Sequence, residues 1–186
     1  MQKLAQELPP HFTYHNANHT LDVNNAALSI GRAEGINEAE TDLLSAAAWY
    51  HDAGYLESIT DHEDVSCKIT KQYLPEFGYH ENEIAVICDM IRATRLPQAP
   101  QNHLEQILAD ADLDYLGRKD FSVISEKLYI ELKHLGAVAS TVDWDRKQVK
   151  FLQEHQYFTK TSINTRQAQK ELNLAEIKAR LHLHEK

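Results

Sequence analysis

Histidine and aspartate side chains are concentrated at three places along the chain, near predicted helix ends. The first place holds His15 and His19, which are four residues apart. The second holds the adjacent pair His51 and Asp52, and the third is an alternating run of acids that includes Asp112. Each cluster alone is most simply a helix cap, an ion pair or a core histidine. Together they indicate a site for a divalent metal, because imidazole and carboxylate groups bind such ions and an unpaired buried aspartate is costly.

The third cluster offers two aspartates, and their directions on a helical wheel differ. Asp112 lies about 80° from the centre of the apolar stripe, and Asp110 lies about 120° from it on the other side. Ala109 and Leu116 widen the apolar sector on the side of Asp112. This favours Asp112 as the inward-facing residue, although both aspartates follow an alanine and fit the same Ala-Asp pattern. The stripe consists of Leu104, Ile107, Leu108, Ala111 and Tyr115.

The order of these clusters is more specific than any one of them. The segments that carry it are Tyr14-His15-Asn16-Ala17-Asn18-His19, His51-Asp52-Ala53-Gly54 and Ala111-Asp112. This order resembles the HD superfamily of metal-dependent phosphohydrolases over roughly residues 11–135. The resemblance implies that the metal ligands are His19, His51, Asp52 and Asp112.

Two further likenesses imply the catalytic groups. The first segment is similar to the opening of the cyclic-nucleotide phosphodiesterase signature, which implies that His15 donates a proton. The segment Asp61-His62-Glu63-Asp64-Val65-Ser66 resembles a stretch that follows the His-Asp pair in many small bacterial HD proteins. It implies that Glu63 lies near the metal-bound water and that His62 could approach a second metal. With Asp52, the residues His15 and Glu63 form the predicted catalytic set.

The ligand set and the resemblance together predict a reaction. Two histidines and two carboxylates suit Mn, Fe, Co, Ni, Zn or Mg as a divalent ion, and one ion is favoured over two. Such an ion activates water for attack on phosphorus. We therefore predict a phosphomonoesterase or phosphodiesterase that acts on a nucleotide or other small phosphate ester. Arg118 is the preferred phosphate contact over Arg92, Arg95 and Lys119, because it follows the predicted Asp112 helix directly.

Two other functions remain open. A di-iron oxygenase on the same scaffold needs several more histidines in register, and only His62 and His80 are candidates. A non-catalytic nucleotide-binding regulatory module would be marked by loss of a ligand position, and none is missing here. Metal analysis and oxygen dependence would separate the first of these from a hydrolase.

Helical periodicity runs through the whole sequence and positions these clusters. It predicts an all-α fold, an HD-domain helical bundle with a C-terminal helical extension. Asn37 and Glu40 resemble a capping box, Gly54 is expected to end the helix before it, and Asp61 is expected to cap the next one. Residues 1–140 are predicted to be an HD-type phosphohydrolase domain, and residues 141–186 two helices packed on the same domain.

Composition limits the partners. The formal net charge is −9 and no block of lysine or arginine occurs, which argues against nucleic acid as a partner because binding it requires a basic face. No apolar run approaches membrane-spanning length, and the N-terminus lacks an apolar signal region, so we predict a cytoplasmic protein without a membrane partner. Cys67 and Cys88 are expected to be buried apolar residues rather than metal ligands. A homodimer is left open.

Overall fold

The computed structural model describes residues 7–184, and these residues contain helices without any strand. The prediction of an all-α fold is therefore confirmed. Short 3-10 turns at Ala53–Leu56, Leu74–Phe77 and Asp114–Gly117 each follow a helix closely. The α-helices are α1 (Ala17–Glu34), α2 (Glu38–Tyr50), α3 (His62–Tyr73), α4 (Glu81–Ala93), α5 (His103–Asp112), α6 (Phe121–His134), α7 (Thr141–Glu154) and α8 (Lys160–His184).

The described residues form two compact units. The first contains residues 7–9 and 15–113, and the second contains residues 10–14 and 114–184. The predicted domains, residues 1–140 and 141–186, begin and end outside the described residues, and that division stays a prediction. No helix among residues 7–184 combines the length and the apolar character needed to cross a membrane.

The first unit is built around an apolar core to which α1 to α5 all contribute. Cys67 and Cys88 are 2% and 1% exposed and form no disulfide, so their prediction as buried apolar residues is confirmed. Helices packed on a shared core hold their ends in fixed positions, which is what a site made from several helix ends requires. The core residues are Val23, Ala27, Ile30, Leu44, Ala46, Ala47, Ala48, Cys67, Leu74, Ile84, Ile87, Cys88, Met90, Ile91, Ile107, Leu108 and Ala111.

Of the three predicted helix-end signals, one is correct, one is correct in position only, and one is wrong. The Asn37–Glu40 capping box is present at the start of α2. Asp61, however, makes no side-chain cap for α3, because its backbone is left-handed with φ 52°, whereas a capping residue is normally extended. Gly54 does not end α2 either: the helix ends at Tyr50, and Gly54 lies in the following 3-10 turn.

The second unit contains α6, α7 and α8 and is held by buried ion pairs. Asp114 is 4% exposed and accepts two hydrogen bonds from Arg166 at 2.6 and 3.3 Å. Asp145 is 3% exposed and pairs with Arg180 of α8 at 2.5 and 2.7 Å. Bidentate pairs of this kind fix the direction of both side chains. They fasten α8 to the Asp114–Gly117 turn and to α7.

A partly buried histidine in the second unit is held in its neutral form. Lys170 donates to the carbonyl oxygen of His155 at 2.6 Å, and its Nζ lies 3.2 Å from the His155 Nδ1. Because an ammonium group can only donate, Nδ1 is the acceptor and the ring proton lies on Nε2. Burial and the charge of Lys170 lower the pKa of His155 to about 3.

This histidine should make the protein sensitive to acid. In the unfolded chain His155 binds a proton near pH 6.5, but in the folded protein it does so only near pH 3, so stability falls as the pH drops through that window. Between pH 7 and pH 5 the loss should be about 1–2 kcal/mol in the free energy of unfolding. In His155→Gln, the side-chain carbonyl oxygen of glutamine can replace Nδ1 as an acceptor for Lys170, but glutamine does not titrate. Urea unfolding at both pH values should show a smaller loss for the variant, and equal losses would contradict this account.

Candidate metal centre

Two helix ends bring the first pair of histidines together. Asn16 caps α1 by accepting a hydrogen bond from the Asn18 backbone, and this sets His19 in the first turn of that helix. His51 directly follows the last residue of α2 and keeps a helical backbone. Both residues are buried, at 9% and 1% exposure, and their Nε2 atoms lie 3.4 Å apart.

The end of α5 adds a carboxylate to this pair. The Asp112 Oδ1 lies 3.2 Å from the His19 Nε2 and 3.5 Å from the His51 Nε2. The three residues place one ligand atom each within 4.8 Å of one another. Ligand atoms around a tetrahedral ion with bonds of about 2.0–2.1 Å lie about 3.3–3.4 Å apart. The spacing of the trio therefore suits a transition-metal ion.

Asp52 approaches the same histidines and has an unsatisfied oxygen. Its Oδ2 lies 3.4 Å from the His19 Nε2 and 3.3 Å from the His51 Nε2. This oxygen is buried and has no hydrogen-bond partner among the described residues. A buried carboxylate oxygen without a partner is energetically costly unless a cation satisfies it. The donor set of two imidazoles and two carboxylates fits a divalent metal at this position.

The tautomer of His51 is consistent with a ligand role. Its Nδ1 lies 2.8 Å from the carbonyl oxygen of Ala48, so Nδ1 carries the proton that is donated there. In the neutral ring this leaves the lone pair on Nε2, which is the atom that faces His19 and Asp112. A backbone carbonyl that holds the second ring nitrogen is the usual arrangement for a metal-binding histidine.

The electrostatics of the cluster favour bound positive charge. Burial lowers the pKa of His51, but the charges of Asp52 and Asp112 outweigh it, so the pKa lies well above its usual value. Burial raises the pKa of Asp52, yet the neighbouring His51 and His62 hold it well below its usual value. The pKa of Asp112 is likewise lowered, by hydrogen bonds to His19 and His51 that outweigh burial. A metal ion entering the site would compete with the proton on His51.

The comparison with known families agrees with this geometry. The family model for the HD domain matches residues 16–114, which is more than half of the chain. The chain belongs to the HD domain family. No curated protein and no solved structure matches it. The matched residues begin at the cap of α1 and end two residues after Asp112, so all four predicted ligands lie inside the HD domain.

Ser66 fastens the His-Asp turn of the HD domain to α3. Its hydroxyl donates to the carbonyl oxygen of His51 at 2.7 Å and accepts from the Gly54 backbone at 2.8 Å. Gly54 must be glycine, because a Cβ there would lie 1.9 Å from the carbonyl oxygen of His62. The close approach of Gly54 to the first residue of α3 brings His62 and Glu63 next to Asp52. This explains why the sequence carries Gly54 and Ser66.

Glu63 and His62 lie beside the metal ligands. The His62 Nε2 lies 3.5 Å from the Asp52 Oδ1 and 3.6 Å from the Glu63 Oε1. The other oxygen of Glu63 accepts from the Arg95 Nε at 3.2 Å. Glu63 is 6% exposed, so this ion pair fixes the carboxylate in place. The structure thus brings Glu63 to the site, while its role as a proton acceptor stays a prediction.

His15 also lies at the site, beside a residue that the sequence analysis missed. The His15 ring meets the His19 ring edge to face, with centroids 5.9 Å apart. It stacks on Tyr55 with centroids 4.5 Å apart, and Tyr55 stacks in turn on His62 at 4.2 Å. The signal that could have found Tyr55 is its position three residues after Asp52, one residue beyond the quoted His-Asp-Ala-Gly segment.

The three acids of the third cluster have different surroundings. Asp112 lies beside the histidines, whereas Asp110 is 0% exposed and Asp114 pairs with Arg166 in the second unit. The wheel argument placed Asp112 on the buried side, but Asp110 is fully buried, whereas the Asp112 side chain is 17% exposed. Burial alone would therefore favour Asp110, and it does not identify the residue at the site. The direction of the side chain toward His19 does.

The three arginines among the predicted phosphate contacts are each paired with carboxylates. Arg118 lies in the second unit, donates to Asp120 at 2.6 and 2.9 Å, and lies 3.7 Å from Asp114. Its assignment to substrate binding stays a prediction. In the HD domain, Arg92 contacts Asp64 and Asp89, and Arg95 contacts Glu63 and Asp64. These pairs reduce the positive charge available for a phosphate.

We expect Asp112→Asn to weaken metal binding by at least about 100-fold. Mutation of a residue that only supports a metal ligand costs up to about this much, and loss of a ligand should cost more. Asparagine keeps the size of the side chain but removes the negative charge beside His19 and His51. Titration of the metal-free protein with Zn²⁺ would measure this. Asp89→Asn, a change at an exposed position on α4, is the matched control and should bind zinc normally. Zinc affinity lost in Asp110→Asn but kept in Asp112→Asn would reverse the assignment.

Ser66→Ala should lower the free energy of unfolding by about 1–3 kcal/mol, because it leaves the buried Gly54 amide without its acceptor. Ser58→Ala is the control, since Ser58 makes one exposed hydrogen bond, to Thr60, and should change stability by less than about 0.5 kcal/mol. Urea unfolding curves of the two variants would test this. Equal effects would show that Ser66 does not fasten the turn to α3.

Proposed function

We propose that this protein is a metal-dependent phosphohydrolase that acts on a nucleotide or another small phosphate ester. The observation that supports this most directly is the buried, unpartnered Oδ2 of Asp52 between two histidine nitrogens. It lies in an HD domain, and HD domains are in general metal-dependent hydrolases. A buried carboxylate oxygen that lacks a hydrogen bond and lies between two histidine nitrogens fits a metal ligand better than a packing residue.

His19, His51, Asp52 and Asp112 would hold one divalent ion, which would polarise a phosphoryl group and lower the pKa of a water molecule. The protein supplies the fixed positions of these four groups. His19 lies at the start of α1, His51 at the end of α2, Asp52 in the turn that follows, and Asp112 at the end of α5. These helices all pack on the core of the first unit. Rigid placement of this kind lowers the entropic cost of bringing water and substrate together.

Two groups beside the ligands can move the protons that hydrolysis requires. Glu63 would accept a proton from the attacking water as its oxygen bonds to phosphorus. His15 would donate a proton to the ester oxygen that leaves when its bond to phosphorus breaks. The products are inorganic phosphate and an alcohol from a monoester, or a phosphomonoester and an alcohol from a diester. His62, in contact with Asp52 and Glu63, would orient both carboxylates.

The substrate class follows from the charge of the protein. With a net charge of −9, the surface does not attract polyanions, so we propose a small phosphate ester rather than DNA or RNA. Arg118 remains the proposed phosphate contact. A cytoplasmic location, the absence of a membrane partner and a homodimer remain predictions from the sequence.

The alternative functions predict different measurements. An oxygenase would bind two iron ions and consume oxygen, but His80, one of its two candidate ligands, is exposed at the N-terminus of α4. A regulatory module would bind a nucleotide without turning it over. We favour hydrolysis because His19, His51, Asp52 and Asp112 lie in one cluster with proton-transfer groups at its edge.

The test is a screen of phosphomonoesters and phosphodiesters with Mn²⁺, Fe²⁺, Co²⁺, Ni²⁺, Zn²⁺ or Mg²⁺. We expect turnover of at least one ester, and its loss in His51→Ala and Asp52→Ala with helical content retained. His103→Ala and Asp42→Ala, both exposed positions in the same unit, are the matched controls and should keep wild-type rates. Near wild-type turnover in either ligand variant would contradict the proposed site. The absence of turnover with every ester and metal would leave the regulatory module as the better proposal.

A further inference from the structure

Three aromatic rings form a continuous stack at the edge of the candidate metal centre. The Tyr55 ring lies 4.5 Å from the His15 ring, with an angle of 26° between their planes. It lies 4.2 Å from the His62 ring, with an angle of 24°. Nearly parallel rings at these separations are in stacking contact. Tyr55 therefore joins two imidazoles that are 47 positions apart in the chain.

The two imidazoles in the stack contact different parts of the ligand set. His15 meets the edge of His19, which is on α1. His62 has its Nε2 within 3.6 Å of both Asp52 and Glu63. Stacking on Tyr55 restrains the planes of both imidazole rings. A contact with one tyrosine thus sets the orientation of both rings.

The backbone of Tyr55 is itself held in place. Its amide donates to the carbonyl oxygen of Asp52 at 3.1 Å. The preceding residue, Gly54, is bonded to Ser66 and packs against the backbone of His62. Tyr55 is half-buried, in a 3-10 turn fixed at both sides. The ring is therefore mounted on a fixed segment rather than on a free loop.

We infer that Tyr55 is a positioning residue that orients His15 for proton transfer at the metal centre and holds His62 against Asp52 and Glu63. The inference rests on the proposed function for its catalytic part and on the stack for its structural part. The ring, rather than the hydroxyl, performs this role, so Tyr55→Phe should retain it and Tyr55→Leu should lose it. Tyr79→Leu, a change at a half-buried tyrosine packed on the core of the same unit, is the matched control.

The first measurement uses histidine ring protons in the full chain loaded with Zn²⁺, which is diamagnetic. Stacking on Tyr55 should shift the ring-proton resonances of His15 and His62 upfield, and spectra of His15→Gln and His62→Gln would assign them. The shifts should persist in Tyr55→Phe and Tyr79→Leu and disappear in Tyr55→Leu at unchanged zinc content. Unchanged His15 and His62 resonances in Tyr55→Leu would overturn the inference.

The second measurement separates kcat from KM, with p-nitrophenyl phosphate or bis(p-nitrophenyl) phosphate as the probe. Tyr55→Leu should lower kcat roughly 100-fold with little change in KM, because misplacing a reacting group by about 1 Å costs this much. Tyr55→Phe should restore the rate, and Tyr79→Leu should not lower it. A wild-type kcat in Tyr55→Leu, or a low one in Tyr55→Phe, would contradict a positioning role for the ring.

The two arms also separate this inference from the proposed function. If the wild-type protein hydrolyses no ester, the proposed function fails, and the proton resonances alone decide whether Tyr55 orients the histidines. If Tyr55→Leu does not fold, Tyr55→Met removes the ring with an unbranched side chain and the same readouts apply. Loss of the histidine shifts in a folded, zinc-loaded variant supports the inference in either case.

Discussion

Placing two carboxylates and two imidazoles together inside a small helical unit is costly without a compensating cation. Asp52 and Asp112 both approach His19 and His51 within 3.2–3.5 Å, and Asp52 keeps one oxygen without a hydrogen bond. Repulsion between the carboxylates is relieved either by a proton on His51 or by a metal ion. The second solution satisfies every ligand atom at once, which is why the cluster is best understood as a binding site.

The surrounding structure holds this arrangement by short-range packing. Gly54 lies against the backbone of His62 where no side chain would fit, and Ser66 bonds both to His51 and to Gly54. These contacts couple the turn after α2 to the start of α3. They also fix Tyr55, so its stacking on two imidazoles is a consequence of the same close approach. One small residue and one hydroxyl thus organise the ligands and the groups around them.

Pairing with carboxylates occupies the arginine side chains that were considered as phosphate contacts. Arg95 fixes Glu63 and Asp64, so the arginine orients a carboxylate rather than presenting a free positive charge. In the second unit Arg118 pairs with Asp120 in the same way. The positive charge needed for a phosphate would then come chiefly from the metal ion. Affinity for substrate would depend on the metal more than on the basic side chains.

The sequence by itself predicted the helices and most of the residues that the structure brings together at the candidate metal centre. Local signals are sufficient where one segment decides the outcome, as with the apolar stripe of α4 or the capping box of Asn37 and Glu40. The order of His19, His51-Asp52 and Asp112 was also sufficient to identify the HD family. These features depend on residue types at fixed spacing along one chain.

Only the tertiary structure decided features that depend on contacts between segments. The choice between Asp110 and Asp112 required the positions of α1 and α2, because Asp110 is the more buried of the two and Asp112 is the one beside His19. Asp61 lies at the N-cap position of α3, but its backbone is left-handed and its side chain makes no cap, which the local sequence does not reveal. The role of Tyr55 arises from rings at positions 15 and 62, and no local pattern brings them together. Packing between distant segments decides these features, so a one-dimensional pattern does not contain them.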